Sequence, residues 1–326
     1  MKYTKLGRTG ILVSEMCLGT NTFGEQVDEA ESIKIIKCAI TAGINFIDTA
    51  DAYVDGKAEE IVGKAIREER NSIILATKVG LWQSGPGIND IGLSRKHIMR
   101  EVEDSLRRLG TDYIDLYYVH RPDYNTPIDE TLRALDDLIH SGKVRYIGCS
   151  NYHAWQLCES LWVSDLRNLA RFECIETPYN LITRDIEYEL LPLCSAKQIG
   201  VTVYSPLAGG LLTGKHDPTK PPAEGTRFTT KRLGALYTGR YWLDRNFAAV
   251  ARLKKIAEEQ GQSFPQFSLA WILNNDTITS VIFGVTSLKQ LQENLGAMEL
   301  KLSTEQLSAC DEVWQQHAPR GFLYGR

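Results

Sequence analysis

The chain has 326 residues, a formal net charge of −4, 43% hydrophobic and 24% charged residues, a profile ordinary for a water-soluble globular protein. A slightly acidic balance gives nucleic acid no electrostatic reason to bind, and no apolar run reaches the ~18 residues a membrane span requires. The opening Met-Lys-Tyr-Thr-Lys-Leu-Gly-Arg lacks the apolar stretch of a secretory signal, so the expected location is the cytosol. Seven cysteines, an odd number without a C-x-x-C pair, read as reduced core residues, and no His/Cys spacing suggests a metal site.

Residues 2–14 hold a turn at Gly7-Arg-Thr-Gly10 between β-prone pieces, which predicts a hairpin capping one end of the fold. One pattern then recurs: a short apolar, β-branched run followed by a segment of helical period. Strands are expected at Glu15–Gly19, Asn45–Asp48, Ile73–Lys78, Ile114–His120, Val144–Cys149, Arg171–Ile175, Gly200–Tyr204 and Ser280–Phe283. Helices are expected at Asp28–Ala42, Ala58–Arg67, Ser94–Leu109, Pro127–Ser141, His153–Asp165 and Asp185–Gln198. Further helices follow at Asp244–Gln260, Phe264–Asn274, Ser287–Met298 and Thr304–His317. Thr126 should cap a helix that has Pro127 in its first position, and Ser287 should cap another. Eight near-continuous apolar strands alternating with helices predict parallel pairing and closure as one α/β domain over 1–326, a (β/α)8 TIM barrel with extra C-terminal helices. An open doubly wound sheet would carry G-x-G-x-x-G after the first strand, and none is present. The long Gly-, Pro- and Thr-rich connection 207–241, after the seventh strand, is expected to be a loop lying over a ligand.

The ends of these strands carry the chemistry. Asp48 ends the second strand, Tyr53 follows on its loop, Lys78 ends the third and His120 ends the fourth. Singly, each has an ordinary structural role: a turn cap, a solvent-seeking lysine, a packed tyrosine, a satisfied histidine. Together, at the ends of consecutive strands, they place a carboxylate, a phenol, an ammonium and an imidazole on the barrel face where active sites are built. Such a set can deliver a proton to a carbonyl oxygen. A phenol normally holds its proton to a pKa of about 10, a neighbouring ammonium lowers that value, and a carboxylate keeps the ammonium charged. His120 would orient the carbonyl by a hydrogen bond. No reductant is among these groups, so a hydride donor is expected beside them.

The later strand ends read as its site. Ser150, Asn151 and Glu176 offer short polar groups for a carboxamide, and Tyr204 offers a ring face for a nicotinamide. The stretch Ser205-Pro206-Leu207-Ala-Gly209-Gly210-Leu-Leu-Thr-Gly-Lys215 supplies backbone N–H groups and a cation for a pyrophosphate. Phe283-Gly284-Val-Thr286-Ser287 leads into a helix N-terminus, an anion-binding geometry.

Several motifs carry a family resemblance: Asn45-Phe-Ile-Asp48-Thr-Ala-Asp-Ala-Tyr53, Ala76-Thr-Lys78, Val119-His120-Arg-Pro-Asp123, Gly142 to Asn151, Tyr204 to Lys215, and Gln290-Leu-Gln-Glu293-Asn294. The sequence resembles the aldo-keto reductase superfamily along nearly its whole length. Within it the chain is similar to bacterial reductases near the potassium-channel β-subunits, including the loop Phe23-Gly24…Gln26. The resemblance implies an Asp48, Tyr53, Lys78, His120 tetrad and NADPH (NADP+) bound extended beneath the loop after the seventh strand. It implies that Lys215 and Arg227 hold phosphates and that Thr286, Gln290, Glu293 and Asn294 hold the adenosine end. Thr20, Asn21 and Gln26 join the cofactor set. Phe23, Trp82, Tyr53 and His120 face the substrate, with Asn21 and the tail Arg320-Gly-Phe322-Leu-Tyr324 as further lining by analogy. Two positions depart from the pattern: Glu176 stands where the family usually has Gln, and no Arg stands near Thr286 and Ser287 to grip a 2′-phosphate.

The expected activity is NADPH-dependent reduction of aldehydes, with ketones as the wider class, on small-molecule carbonyl substrates. The alternative is an NADPH-binding regulatory or sensing subunit with slow turnover, against which the lack of a long N-terminal effector segment weighs. A Schiff-base aldolase on Lys78 would leave the nicotinamide-like features without a role.

Overall fold

A computed structural model describes residues 1–81 and 84–318. The first strands, β1 (Tyr3–Lys5) and β2 (Leu12–Ser14), pair antiparallel as the expected hairpin. Eight further strands form a closed barrel: β3 (Met16–Gly19), β4 (Phe46–Asp48), β5 (Ile74–Val79), β6 (Ile114–Val119), β7 (Val144–Ser150), β8 (Phe172–Pro178), β9 (Gly200–Tyr204) and β10 (Ser280–Gly284). Neighbours pair in sequence order and β10 closes onto β3 in parallel. Each strand lies within one or two residues of its expected span, β8 running somewhat longer.

The helices are α1 (Glu29–Thr41), α2 (Lys57–Ile66), α3 (Arg95–Leu109), α4 (Ile128–His140), α5 (Ala154–Arg167), α6 (Leu190–Lys197), α7 (Gly234–Tyr241), α8 (Asp244–Glu258), α9 (Phe264–Leu273), α10 (Leu288–Leu295) and α11 (Thr304–His317). Side chains fix several starts: Asp28 accepts from the Glu31 N–H, Ser94 from His97, and Ser303 forms a capping box with Gln306. Ser287 Oγ accepts from the Gln290 N–H, as expected of a cap for α10. Thr126 is a correction. Pro127 occupies the cap position of α4, and the Thr126 hydroxyl instead donates to Asp123 at 2.7 Å.

The chain divides into two compact units. The first comprises Met1–Thr177, Ile186–Tyr204 and Thr277–Leu291, and contains the hairpin, the barrel strands and α1 to α6. Its interior is filled by Cys17, Phe46, Ala76, Leu116, Tyr118, Cys174 and Ile282, with Leu6 and Val13 of the hairpin segment added to the same cluster. Full burial of an apolar side chain of this size stabilises by roughly 1.5–3 kcal/mol, so the hairpin is part of the core. Outside the strands, α2 packs on α1 and α3, and α3 on α4.

The second unit comprises Pro178–Asp185, Ser205–Asp276 and Gln292–Arg326. It holds most of the connection expected to be one long loop, which contains α7 and two short 3-10 turns, Ala208–Thr213 and Arg227–Thr229. Aromatic packing gives this stretch its order: Phe228 meets Trp242 at 4.9 Å between ring centroids, His216 meets both rings edge-on, and Trp242 meets Phe247 at 5.0 Å. All seven cysteines are free; Cys149, next to Ser150, is fully buried. Among the described residues, no helix is long and apolar enough to cross a membrane.

Candidate active site

Ladder register brings the polar strand ends to one level. Asp48 pairs with Ala76, Lys78 with Tyr118 and Ser150 with Glu176, all at the C-terminal end of the barrel. Period two points Lys78 inward while its neighbour Thr77 points out to the helices, where it donates to Glu59.

Lys78 is fully buried and its ammonium organises the first unit's polar centre. Nζ lies 2.6 Å from both Asp48 oxygens, 3.0 Å from the Thr49 carbonyl oxygen and 3.1 Å from the Tyr53 hydroxyl. Glu176 stands close behind, with Oε2 3.4 Å from the same nitrogen and without a hydrogen-bond partner. Tyr53 meets His120 edge-on, ring centroids 5.9 Å apart. His120 is 7% exposed and its Nδ1 has no hydrogen-bond partner. The four residues expected as a tetrad are thus brought together; the Thr49 carbonyl contact is one that sequence reasoning had no means of seeing.

Burial dominates the proton affinities. It pushes the Tyr53 phenol well above its ordinary value; Lys78 pulls it down, and Asp48 and Glu176 push it up. The ammonium does lower the phenol's value, as expected, but burial outweighs it and the two carboxylates add to the rise, so the net direction is upward. Tyr53 is a neutral phenol with a proton to give. Burial opposes the Lys78 charge, but Asp48, Glu176 and Tyr53 together hold its value well above ordinary, so it stays an ammonium. His120 is driven well below its usual value by burial, then by Lys78 and Arg121, which leaves a neutral imidazole. Glu176 is pushed up to about 8, first by burial and then by the Asp48 charge.

Around this centre Asn151 acts as a tie. Its Nδ2 donates to the His120 carbonyl and to Ser150 Oγ, both at 2.9 Å, and its Oδ1 accepts from the Tyr204 hydroxyl at 2.7 Å. Asn151 adopts φ of 62°, a left-handed conformation that Asn tolerates. Thr20 donates to the Asp48 carbonyl at 2.9 Å. Gly284, at the end of β10, lies open towards Asn21, and Gln290 folds back to accept from the Thr286 N–H at 2.8 Å. Gln26 donates through its backbone to Thr22. Phe23, expected against the substrate, is fully buried. Trp82 and the tail from Arg320 to Tyr324 lie outside the described residues.

Within the second unit, Ser205 has φ of 55°, and Ala208, Gly209 and Gly210 continue with positive φ. The turn is closed internally, the Ala208 N–H donating to the Ser205 carbonyl at 2.9 Å and the Gly210 N–H to the Leu207 carbonyl at 2.8 Å. Tyr237 of α7 gathers this stretch: its hydroxyl lies 3.4 Å from Ser205 Oγ, its ring packs on Gly209, and the Arg227 guanidinium stands 5.3 Å from the ring centroid. Sequence reasoning missed Tyr237, although a tyrosine in an otherwise polar, Gly-rich connection was the available signal. Pro206 is buried, Leu207 half-buried and Lys215 exposed. Glu293 accepts from Ser263 at 3.3 Å, and Asn294 is buried.

A closed parallel barrel with a buried Asp–Lys pair touching a phenol beside a neutral imidazole defines a class: barrel oxidoreductases that act on carbonyl groups. The aldo/keto reductase family model matches residues 15–315, and the chain belongs to that family. It is 41% identical over 305 residues to a protein of Arabidopsis thaliana named a probable voltage-gated potassium channel subunit beta, covering 92% of each chain. It is 38% identical over 324 residues to the uncharacterized oxidoreductase YrpG of Bacillus subtilis, covering 96% of each, and 38% identical to a putative channel β-subunit of Schizosaccharomyces pombe, covering 94% of this chain and 92% of that one.

Proposed function

We propose that this protein reduces aldehydes, with ketones as the wider class, to alcohols, with NADPH as the reductant and Tyr53 as the proton donor. The observation that carries the proposal is the Lys78 ammonium in contact with both Asp48 and the Tyr53 hydroxyl at the rim of the barrel. The donor set fits the cofactor. Glu176 Oε2, which accepts no hydrogen bond, and the Ser150 hydroxyl suit a carboxamide, and the exposed Lys215 ammonium suits phosphate oxygens.

When bound, NADPH supplies the hydride that no side chain of the protein can provide. The chain's own residues do the rest. Tyr53 gives its proton to the carbonyl oxygen, and Lys78 stabilises the phenolate that remains. Asp48 holds Lys78 charged and in position. Neutral His120 orients the carbonyl by a hydrogen bond without competing as an acid. Ser150, Asn151 and Glu176 are assigned to the carboxamide, Tyr204 to the ring face, Lys215 and Arg227 to phosphates, and Thr286, Gln290, Glu293 and Asn294 to the adenosine end. NADPH is proposed over NADH on those two cations. Purified protein assayed with NADPH and NADH side by side, over a panel of aliphatic and aromatic aldehydes and ketones, tests this. Consumption of neither cofactor with any carbonyl refutes it.

A second proposal, a cofactor-binding regulatory subunit with slow turnover, is favoured by the relatives named as channel β-subunits. Tight NADPH binding with only slow oxidation by the whole panel would support this alternative over the first.

A further inference from the structure

Behind the loop that carries Tyr53 lies a second buried ionic cluster that the proposed chemistry does not use. Arg108, in the last turn of α3, donates Nε to Glu59 of α2 at 2.5 Å, and its NH2 nitrogen to Glu101 at 2.7 Å and Ser105 at 3.1 Å. Both glutamate side chains are 0% exposed. Glu59 also accepts from Thr77, the residue beside Lys78 in β5, at 2.6 Å. A planar guanidinium can bridge two carboxylates at once, which an ammonium cannot do with the same geometry.

The same side chain presses on the Tyr53 loop. A methyl group built on Gly56 would lie 2.6 Å from Arg108 Cδ and 2.9 Å from Nε, so the arginine stem lies against the Gly56 backbone. Gly56 ends a run of three left-handed residues that starts immediately after Tyr53: Val54 at φ 50°, Asp55 at 55° and Gly56 at 83°. That conformation is unfavourable for an L-residue and most so for a β-branched one. Local hydrogen bonds close the turn, from Lys57 N–H to the Val54 carbonyl at 3.0 Å and from Ala58 N–H to the Tyr53 carbonyl at 3.3 Å. A strained turn persists only where its surroundings over-determine it. In this loop Lys78 holds the phenol at one end and Arg108 covers Gly56 at the other.

We propose that Arg108 is a positioning residue for Tyr53: anchored by Glu59 and Glu101, it clamps the left-handed turn Val54–Gly56 so that the phenol stands at Lys78. The proposal rests on Tyr53 as the proton donor. Arg108 touches no reacting atom, so its loss affects the placement of the phenol and leaves cofactor binding alone.

The test uses the full chain with NADPH and 4-nitrobenzaldehyde. In Arg108→Lys the charge remains but the bridge between the two glutamates is lost. It should lower kcat by about ten- to a hundred-fold, the scale of a 1 Å misplacement, while KM and the NADPH dissociation constant stay within about three-fold. In a crystal structure of that variant the Tyr53 hydroxyl should lie out of hydrogen-bond reach of Lys78. Adding Val54→Gly, which removes the strain the clamp opposes, should recover most of the lost kcat. Should Arg108→Lys not fold, Glu101→Gln reports on the same clamp by weakening one anchor of the guanidinium, and a smaller loss of the same kind, again recovered by Val54→Gly, is expected. An unchanged kcat with only a lower melting temperature, or a reduced kcat with the phenol still at Lys78 and no recovery by Val54→Gly, overturns the proposal. If the wild type turns over no carbonyl, the functional assignment fails instead, and the phenol position in the variant still decides whether the clamp exists.

Discussion

Lys78 Nζ stands 3.1 Å from the Tyr53 hydroxyl while its other hydrogen bonds go to Asp48 and the Thr49 carbonyl, with Glu176 Oε2 at 3.4 Å, so one buried ammonium joins the end of β5 to the loop after β4. Removing it leaves Asp48 and Glu176 facing each other without a cation. Lys78→Met is expected to cost about 3–5 kcal/mol of stability, the scale for breaking one partner of a buried pair. Chemical denaturation measures this, and Asp48→Asn added to Lys78→Met should recover part of the loss. A single variant as stable as wild type would show that the pair is not held as described.

Glu176 makes the stability of the fold depend on pH. Its folded value is pushed up to about 8, while the unfolded chain releases the proton in the ordinary carboxylate range. Between those values the folded state binds the extra proton, so this group's contribution to stability falls as pH rises toward and through about 8. Glu176→Gln cannot titrate. Its melting temperature, relative to wild type, should therefore climb steadily from about pH 5 to about pH 8. A difference that stays flat across that range would mean Glu176 is ionised throughout.

Gly63 in α2 separates two arguments of opposite sign. Helix propensity alone favours alanine there by about 1 kcal/mol. A methyl group built on Gly63, however, runs into the Leu109 backbone carbonyl of α3, which cannot swing aside like a side chain. Gly63→Ala should destabilise by about 1–3 kcal/mol, visible as a lower melting temperature. A stabilised variant would show that α2 and α3 do not approach this closely.

Much of the barrel was legible because period and chemistry agree locally. Apolar runs marked the strands to within a residue or two, and the polar residue at each strand end fell on one rim because parallel strands in register must place it there. What escaped was decided by distant residues. The Glu59–Arg108 contact spans 49 positions, and neither residue announces its partner. Helix α7 lay hidden in a Gly- and Pro-rich connection, where the ring contacts Tyr237–Tyr241 and Phe228–Trp242 that accompany it cannot be read from spacing. The net proton affinity of Tyr53 escaped for a similar reason: the sequence shows the ammonium that lowers it, but only the structure shows how deeply the phenol is buried and that two carboxyl groups share that ammonium.

The most direct test of the account is the rate of NADPH oxidation by Tyr53→Phe, measured with a carbonyl the wild type reduces, together with its NADPH dissociation constant. Loss of a general acid is expected to slow turnover by about 10²- to 10⁴-fold while cofactor binding stays unchanged. A Tyr53→Phe protein that reduces the same carbonyl at the wild-type rate would contradict the assignment of the proton donor, and with it the role of Lys78 as the cation that stabilises its phenolate.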